Sequence, residues 1–291
     1  MMPWSERFVS LERSLHQLPF LIFGGAARAA YWLADKLVVT KIRLSFPNLP
    51  LAFDGMTITH ISDIHLGPLF SLKHHFPPLL SACRELNSDL ICCTGDWVDF
   101  DLDMLPEALK EFDTLRPEMG WFGILGNHDY HFNRWKLLKI LRPWLKERLL
   151  INQFVRLKSG GESIDVCGLD FSVCGSRLLR GLKALELNRP DPGAFTLGLA
   201  HYPDVFDPFR EMHRVDLMLT GHTHGGQICW TPLPEPPVGP VTENYKYCRG
   251  LYEVDGSWVY VSCGLGATVP IRINCPPEVT QITLSCSPSS S

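Results

Sequence analysis

The chain has 291 residues, is 45% hydrophobic, and sets 27 basic against 31 acidic side chains for a net charge of −4. That length and apolar content can bury the core of one large domain and leave an appendage over. The charge balance argues against a nucleic-acid partner, for which a basic excess is expected.

The first distinct segment is "LPFLIFGGAARAAYWLADKLVV", apolar from Leu18 to Ala34, broken by Arg28 and closed by Asp35. It falls short of the about 20 apolar residues that a membrane-spanning helix needs. It shows no small-residue cleavage site and no twin arginine, so a removable signal peptide is not expected. Residues 1–40 therefore have two readings. One is a helix packed on the body of the protein. The other is a helix lying in a membrane surface, with Arg7, Arg13 and Arg28 near head groups and Trp32 at the interface.

From Ile42 the pattern changes. "KIRLSF" and "MTITHISDIH" are rich in β-branched residues and read as strands, and residues 71–87 read as a helix. "DLICCTGD" is a strand, 104–115 a helix, "GWFGILGNHD" a strand running into a loop, and 133–148 a helix. "VRLKSGGESIDVCGLDF" predicts a hairpin around Gly160 and Gly161. "AFTLGLAHYP" and "VDLMLTGHTH" are strands ending in loops, and "SWVYVSCGLG" and "EVTQITLSC" close the domain as strands. Strands alternate with helices early and pair as hairpins late, so the fold class is α/β with mixed sheets. The domain is assigned to residues 41–285, and 286–291 to a disordered tail.

Ten cysteines are spread along the chain without a C-x-x-C pair, which argues against a zinc finger or a thioredoxin-like site. Cys92 and Cys93 fall inside an apolar strand. Most of the cysteines read as small apolar residues of a reducing, cytoplasmic compartment.

Five of the strand-like runs end in polar clusters: "DIH" at 63–65, "GDWVD" at 95–99, "GNHD" at 126–129, "AHYP" at 200–203 and "GHTH" at 221–224. Open α/β sheets place ligand sites beyond the carboxyl ends of their strands, so these clusters can converge. Asp63 and His65 stand two apart and can face one ion. Asp96 has two oxygens and can bridge two ions. Asn127 offers an amide oxygen, and His201, His222 and His224 offer imidazole nitrogen. Nitrogen and oxygen donors without thiolate suit Mn²⁺, Fe or Zn²⁺, and seven donors suit two ions better than one. Taken singly, an aspartate after a strand is an ordinary turn or cap, and a histidine an ordinary hydrogen-bonding residue. Their order and shared context make coincidence a poor account of all seven.

The succession D-x-H, G-D, G-N-H-D, a lone histidine and G-H-x-H resembles the calcineurin-like metallophosphoesterases, over about Thr57 to Leu284. "GHTHGGQ", "RGLY", "YVSCGLG" and "PPEVTQITL" resemble further the YkuE/YaeI-like branch, which includes the UDP-2,3-diacylglucosamine pyrophosphatase LpxG. The resemblance implies a four-layer sandwich of two mixed β-sheets flanked by helices, with a dinuclear metal site at the C-terminal ends of strands. It implies two divalent ions, Mn²⁺ foremost with Fe or Zn²⁺ as alternatives. One would be held by Asp63, His65, Asp96 and His224, the other by Asp96, Asn127, His201 and His222. It further implies that His128 faces the substrate and assists the leaving group. Asp99 is either an ordinary turn acid or the carboxylate that orients His128.

One position departs from the phosphoprotein phosphatase branch. Where that branch has a phosphate-binding arginine after G-D-x-V-D, this chain has Phe100. Arg249 or Arg272 could contact phosphate instead, or either could be a surface ion pair. Phe100, Phe70 and Phe76 follow site loops. "RWKLLKILRPWLKERLL" at 134–150 reads as a basic amphipathic helix, either lying on a membrane or packed on the core with solvated lysines. These features favour a lipid-linked phosphoester, and the resemblance points to the pyrophosphate of UDP-2,3-diacylglucosamine, a lipid A step. The expected location is the cytoplasm, peripheral on the inner face of the cell membrane. Alternatives are a broad phosphodiesterase or phosphatase, and a non-catalytic scaffold of the same fold. The scaffold should have lost ligands, and here all seven stand, with His128.

Overall fold

The computed structural model describes residues 36–67, 75–99, 102–131, 134–170, 175–189, 191, 193–267 and 271–287. The strands are β1 (Val38–Phe46), β2 (Thr57–Ile61), β3 (Leu90–Cys93), β4 (Trp121–Gly123), β5 (Gln153–Ser159), β6 (Glu162–Gly168), β7 (Thr196–Leu199), β8 (Leu217–Thr220), β9 (Gly250–Val254), β10 (Ser257–Val261) and β11 (Glu278–Cys286). The helices are α1 (Phe76–Leu86), α2 (Leu105–Phe112), α3 (Asn127–His131), α4 (Arg134–Leu145), α5 (Gly175–Leu187) and α6 (Phe206–Met212).

The strands form two sheets, β1-β11-β2-β3-β4 and β5-β6-β7-β8-β10-β9. Both are mixed. β2, β3 and β4 run parallel, with β11 antiparallel to β2. β6, β7, β8 and β10 run parallel, with β5 and β9 antiparallel at the edges.

Strand alternation sets the layers. In β3, Leu90 and Cys92 turn toward the second sheet, where they meet Ile58, Phe122, Leu197, Leu217 and Tyr260. Ile91 and Cys93 turn the other way, into a core shared with α1, α2 and α4 that includes Phe76, Phe112, Trp121 and Leu141. β8 repeats the pattern. Leu217 and Leu219 face the inter-sheet core, while Met218 joins Leu182, Phe206 and Phe209 under α5 and α6. Two sheets with a helical layer outside each make the four-layer sandwich expected.

The helices follow their leucine spacing. α1 carries two prolines in its first turn, where no intrahelical N–H is needed, buries Leu79, Leu80, Cys83 and Leu86, and stops at left-handed Asn87. α4 buries Leu137, Leu138, Leu141 and Leu145. Its apolar stripe is therefore a core face, and the packed-helix reading is the one the structure adopts. Phe76, which follows a site loop, is buried in the same core; Phe70 and Phe100 lie outside the described residues.

Other boundaries shift modestly. β1 begins at Val38, inside the segment expected to precede the domain, and β11 extends through Cys286, which pairs with Phe46 across the sheet. The remainder of the expected tail, 288–291, and the apolar run before Lys36 lie outside the described residues. The cysteines among the described residues are free, and all but Cys286 are buried.

The parallel strands place the ends of β2, β3, β4, β7 and β8 at one edge of the sandwich. Pairing continues past the strands proper: Asp63 N donates to Gly95 O at 3.0 Å, His65 N to Asp96 O at 2.9 Å, and Gly221 N to His201 O at 3.0 Å. The loops carrying the candidate residues are thus fixed to one another by backbone.

Candidate metal centre

All seven candidate donors converge there. Asp96 is central: its Oδ2 lies 3.5 Å from His65 Nε2 and 3.3 Å from His201 Nε2. On one side, Asp63 Oδ1 lies 4.0 Å from His65 Nε2 and 3.8 Å from His224 Nε2. On the other, Asn127 Oδ1 lies 2.9 Å from His201 Nε2 and 3.0 Å from His222 Nδ1. Donor atoms within 4.8 Å of one another form three triads, Asp63–His65–His224, His65–Asp96–His128 and Asp63–Asp96–His201.

Several ring orientations are set from behind. His201 Nδ1 is 2.8 Å from Thr94 O and His224 Nδ1 is 3.2 Å from Gly266 O. A carbonyl accepts only from N–H, so in both rings Nδ1 carries a proton and Nε2 is the nitrogen turned toward the carboxylates. Ser62 Oγ donates to Asp63 Oδ2 at 2.6 Å and is itself reached by Thr94 Oγ1 at 2.7 Å. The backbone N–H of His128 donates to Asp96 Oδ1 at 2.9 Å.

The arrangement fits divalent cations. Asp63, His65, Asp96, His222 and His224 have φ between 48° and 69°, a left-handed region that non-glycine residues rarely enter and that clusters where function demands it. The buried Nε2 of His65 makes no hydrogen bond, a state that costs free energy unless another partner faces it. Two buried carboxylates share the space with imidazoles and no thiolate, a hard-to-borderline donor set.

Electrostatics point the same way. Burial, and then the Asp96 charge, raise the Asp63 pKa. Burial opposes charge on Asp96, but His201 and His65 outweigh it and hold Asp96 far below the usual carboxylate range. Burial likewise opposes protonation of His201, yet Asp96 and Asp63 raise it to about 9. Burial and the neighbouring His201 push His222 down to about 3.

His128 Nδ1 lies 3.1 Å from Asp99 Oδ1. Asp99 is buried rather than an exposed turn acid, and although burial raises the cost of its charge, contact with His128 keeps its pKa low. The same oxygen lies 3.5 Å from His65 Nδ1.

Neither arginine considered for phosphate is a surface ion pair. Arg272 is buried and donates to the carbonyls of Cys263, Cys275 and Gly266, with Nη2 3.4 Å from His224 Nδ1. Arg249 is buried and donates to the carbonyls of Thr231, Pro232, Glu235 and Asn274. Both organise loops.

Sequence reasoning missed Asp129. Its side chain is fully buried and accepts from Gly126 N at 2.8 Å, Trp97 N at 3.0 Å and Val98 N at 3.4 Å. Burial, reinforced by the Asp96 charge, raises its pKa to about 7. It ties the loop of Asp96 to the loop of Asn127. The close approach of those loops also requires glycine. A Cβ on Gly95 (φ 94°) would stand 2.4 Å from Gly126 N, and one on Gly126 would stand 2.2 Å from Asp96 Oδ1. The signal was present in "GNHD", but a strand-end aspartate next to a histidine reads as a turn acid.

A two-sheet sandwich with carboxylates and imidazoles gathered at its strand ends defines a metallohydrolase framework. Residues 56–226 match the family of calcineurin-like phosphoesterases, and the chain belongs to that family. It is 31% identical over 269 residues to the metallophosphoesterase YkuE of Bacillus subtilis, covering 90% of each chain. It is 32% identical over 231 residues to the phosphodiesterase YaeI of Escherichia coli, covering 78% of this chain and 81% of that one. Over 283 residues it is 28% identical to a transmembrane protein with metallophosphoesterase domain from Danio rerio, covering 93% of this chain and 63% of that protein. The chain is a metallophosphoesterase, a hydrolase of phosphoester bonds.

Proposed function

We propose that the substrate is a lipid-linked nucleotide, UDP-2,3-diacylglucosamine, cleaved at its pyrophosphate to 2,3-diacylglucosamine 1-phosphate and UMP beside a membrane surface. The observation carrying the hydrolytic part is the convergence on Asp96 of two groups of donors, five of them held in left-handed backbone. Asp63, His65, Asp96 and His224 would hold one divalent ion, and Asp96, Asn127, His201 and His222 the other, Mn²⁺ being the expected metal. When bound, the ions would supply positive charge for the phosphoryl oxygens and acidify the attacking water. His128, oriented by Asp99, would assist the leaving oxygen. The N–H groups that anchor Asp63 and Asp96, those of His222 and His128, hold both carboxylates to the loops that carry the rings.

The choice of lipid-linked substrate rests on the branch resemblance to LpxG and on the apolar run from Leu18 to Ala34. It is also supported by the relative from Danio rerio that is named a transmembrane protein. Among the described residues no helix is long and apolar enough to cross a membrane. The test is turnover of a panel of lipid-linked and soluble phosphoesters under different divalent metals. UMP release from UDP-2,3-diacylglucosamine with Mn²⁺, abolished by chelator, is expected. Its survival intact while a soluble phosphodiester is hydrolysed well would refute the substrate. That outcome is the second reading, a broad phosphodiesterase, which the name of YaeI favours.

A further inference from the structure

Ten large apolar side chains stand exposed among the described residues, and six of them lie at the end of the sandwich that bears the metal cluster: Val39, Trp135, Trp230, Val238, Val241 and Ile273. Topology puts them there. β1 runs parallel to β11 with Val38 opposite Glu278, and β11 runs antiparallel to β2 with Thr280 opposite His60. β1 therefore starts where β2 ends in Asp63 and His65. α4 begins at Arg134, directly after the loop of Asn127, and presents Trp135 at 71% exposure. Trp230, Val238 and Val241 sit on the loop that leaves β8 through "GHTHGGQ" and returns at Gly250, opposite the end of β10.

This loop is held firmly with its apolar side chains outward. Trp230 N donates to Val238 O at 2.6 Å, and Cys229 N to Ile273 O at 2.9 Å. The buried guanidinium of Arg249 ties the Thr231, Pro232, Glu235 and Asn274 carbonyls together at 2.8–3.1 Å. A buried cation thus fixes a loop whose outward face carries a tryptophan at 64% exposure with valines and an isoleucine beside it. The platform adjoins the chemistry: Tyr245, on the same loop, stands edge-on to His222 at 5.9 Å. Backbone pairing sets Trp230 beside Val238 and Ile273 beside Cys229, and exposed apolar side chains grouped on a rigid loop mark an interaction site.

The occupant is indicated by the chain outside the described residues. Thirty-five residues, apolar from Leu18 to Ala34, join the fold at Lys36, at this same end. Lys136, Lys139 and Arg142 stand exposed on α4, which begins here. Tryptophan, aliphatic side chains and nearby cations suit an interfacial layer with anionic head groups. We propose that this end of the molecule docks on a lipid bilayer, with Trp230, Val238, Val241 and Ile273 entering the head-group layer beside the metal cluster. This deepens, and rests on, the reading of the substrate as lipid-linked.

The full-length chain is mixed with vesicles of phosphatidylethanolamine and phosphatidylglycerol and sedimented. It co-sediments, and Trp230→Ser and Val238→Ser each weaken partitioning by about tenfold. Both variants keep wild-type turnover of a soluble phosphodiester, which shows that they fold. Undiminished sedimentation of the double variant overturns the proposal. So does protection of Trp230 from hydroxyl-radical labelling before vesicles are added, since residues 1–35 or a second copy would then cover the platform. Vesicle binding lost in the variants, with no cleavage of UDP-2,3-diacylglucosamine by the parent, supports the docking face and refutes the substrate alone. Cleavage of detergent-dispersed substrate without vesicle binding refutes the docking face alone.

Discussion

Asp129→Ala removes the carboxylate that links the loops of Asp96 and Asn127. The side chain is fully buried, as are Trp97 and Val98, so no water can replace it at their amides. Two of its three bonds are of ordinary length, 2.8 Å from Gly126 N and 3.0 Å from Trp97 N, and the third, from Val98 N, is long at 3.4 Å. Leaving a buried amide unsatisfied costs about 1–3 kcal/mol, so the two good bonds set a loss of about 2–6 kcal/mol. Relief of the repulsion with Asp96, visible in the raised pKa of Asp129, offsets part of that. A net loss of about 3 kcal/mol is expected, lowering Tm by about 6–12 °C for a domain of this size. Asp129→Asn keeps an acceptor for Trp97 but turns an N–H toward the N–H of Gly126. It should lose about 1 kcal/mol and yet lower turnover by about tenfold or more, because the loops holding Asp96 and Asn127 separate. Thermal unfolding followed by circular dichroism, with phosphodiester turnover on the same samples, reads both. A Tm within about 1 °C of the parent for Asp129→Ala would refute the reasoning.

Chelation should abolish hydrolysis and a divalent ion restore it, with Asp96→Asn lowering both metal content and turnover; metal analysis by mass spectrometry checks this. Turnover without bound metal would refute the metal-dependent reading of the site. His128→Ala should lower kcat by about 10²–10⁴-fold with metal content unchanged, the range of a lost proton-transfer group, and steady-state kinetics with metal analysis separate that from a lost ligand. Gly126→Ala drives a methyl into Asp96 and should abolish metal binding, whereas Gly161→Ala, which meets nothing within 4 Å, should cost only about 1 kcal/mol of left-handed strain and leave turnover intact. Equal activity in the two variants would contradict the close packing of the loops after β3 and β4.

Much of the site is legible in sequence because each donor follows a strand end by only two to four residues. Asp63 and His65 follow β2, Asp96 follows β3, Asn127 follows β4, and the remaining histidines follow β7 and β8. The strand is read from apolar runs, and the donors are the first polar groups after it. What escapes is any residue whose role lies in a contact between loops distant in sequence. Asp129 acts on Trp97, 32 residues earlier, and Thr94 orients His201, 107 residues later. Arg272 reaches His224 across 48 residues. No periodicity carries such pairs. Other omissions had local signals. Leu178, Leu182 and Leu185 are spaced for the α5 face that packs on the second sheet, but two arginines and two glycines dilute the pattern. The Asp255–Gly256 turn between β9 and β10 is a hairpin signal that the intervening polar residues obscure. α6 spans seven residues and includes a proline, too short for a helical period to show.

The two arginines sharpen how phosphate charge is met. An arginine free to grip a phosphate presents its planar fork to solvent or substrate. Arg272 instead directs its fork at the Cys263, Cys275 and Gly266 carbonyls, and Arg249 at three carbonyls of the apolar loop and that of Asn274. Moving either toward a substrate would strip several buried carbonyls of their donors, a cost of about 1–3 kcal/mol each. Arg272 has a further duty, because the Gly266 carbonyl it holds is also the one that fixes His224 with Nε2 toward Asp63. Guanidinium charge here keeps donors and loops in place. With both of these arginines committed to carbonyls, the positive charge expected to face a phosphoryl group is that of the metal held by the Asp96 cluster, so removing metal should weaken binding of the phosphate group as well as abolish its hydrolysis.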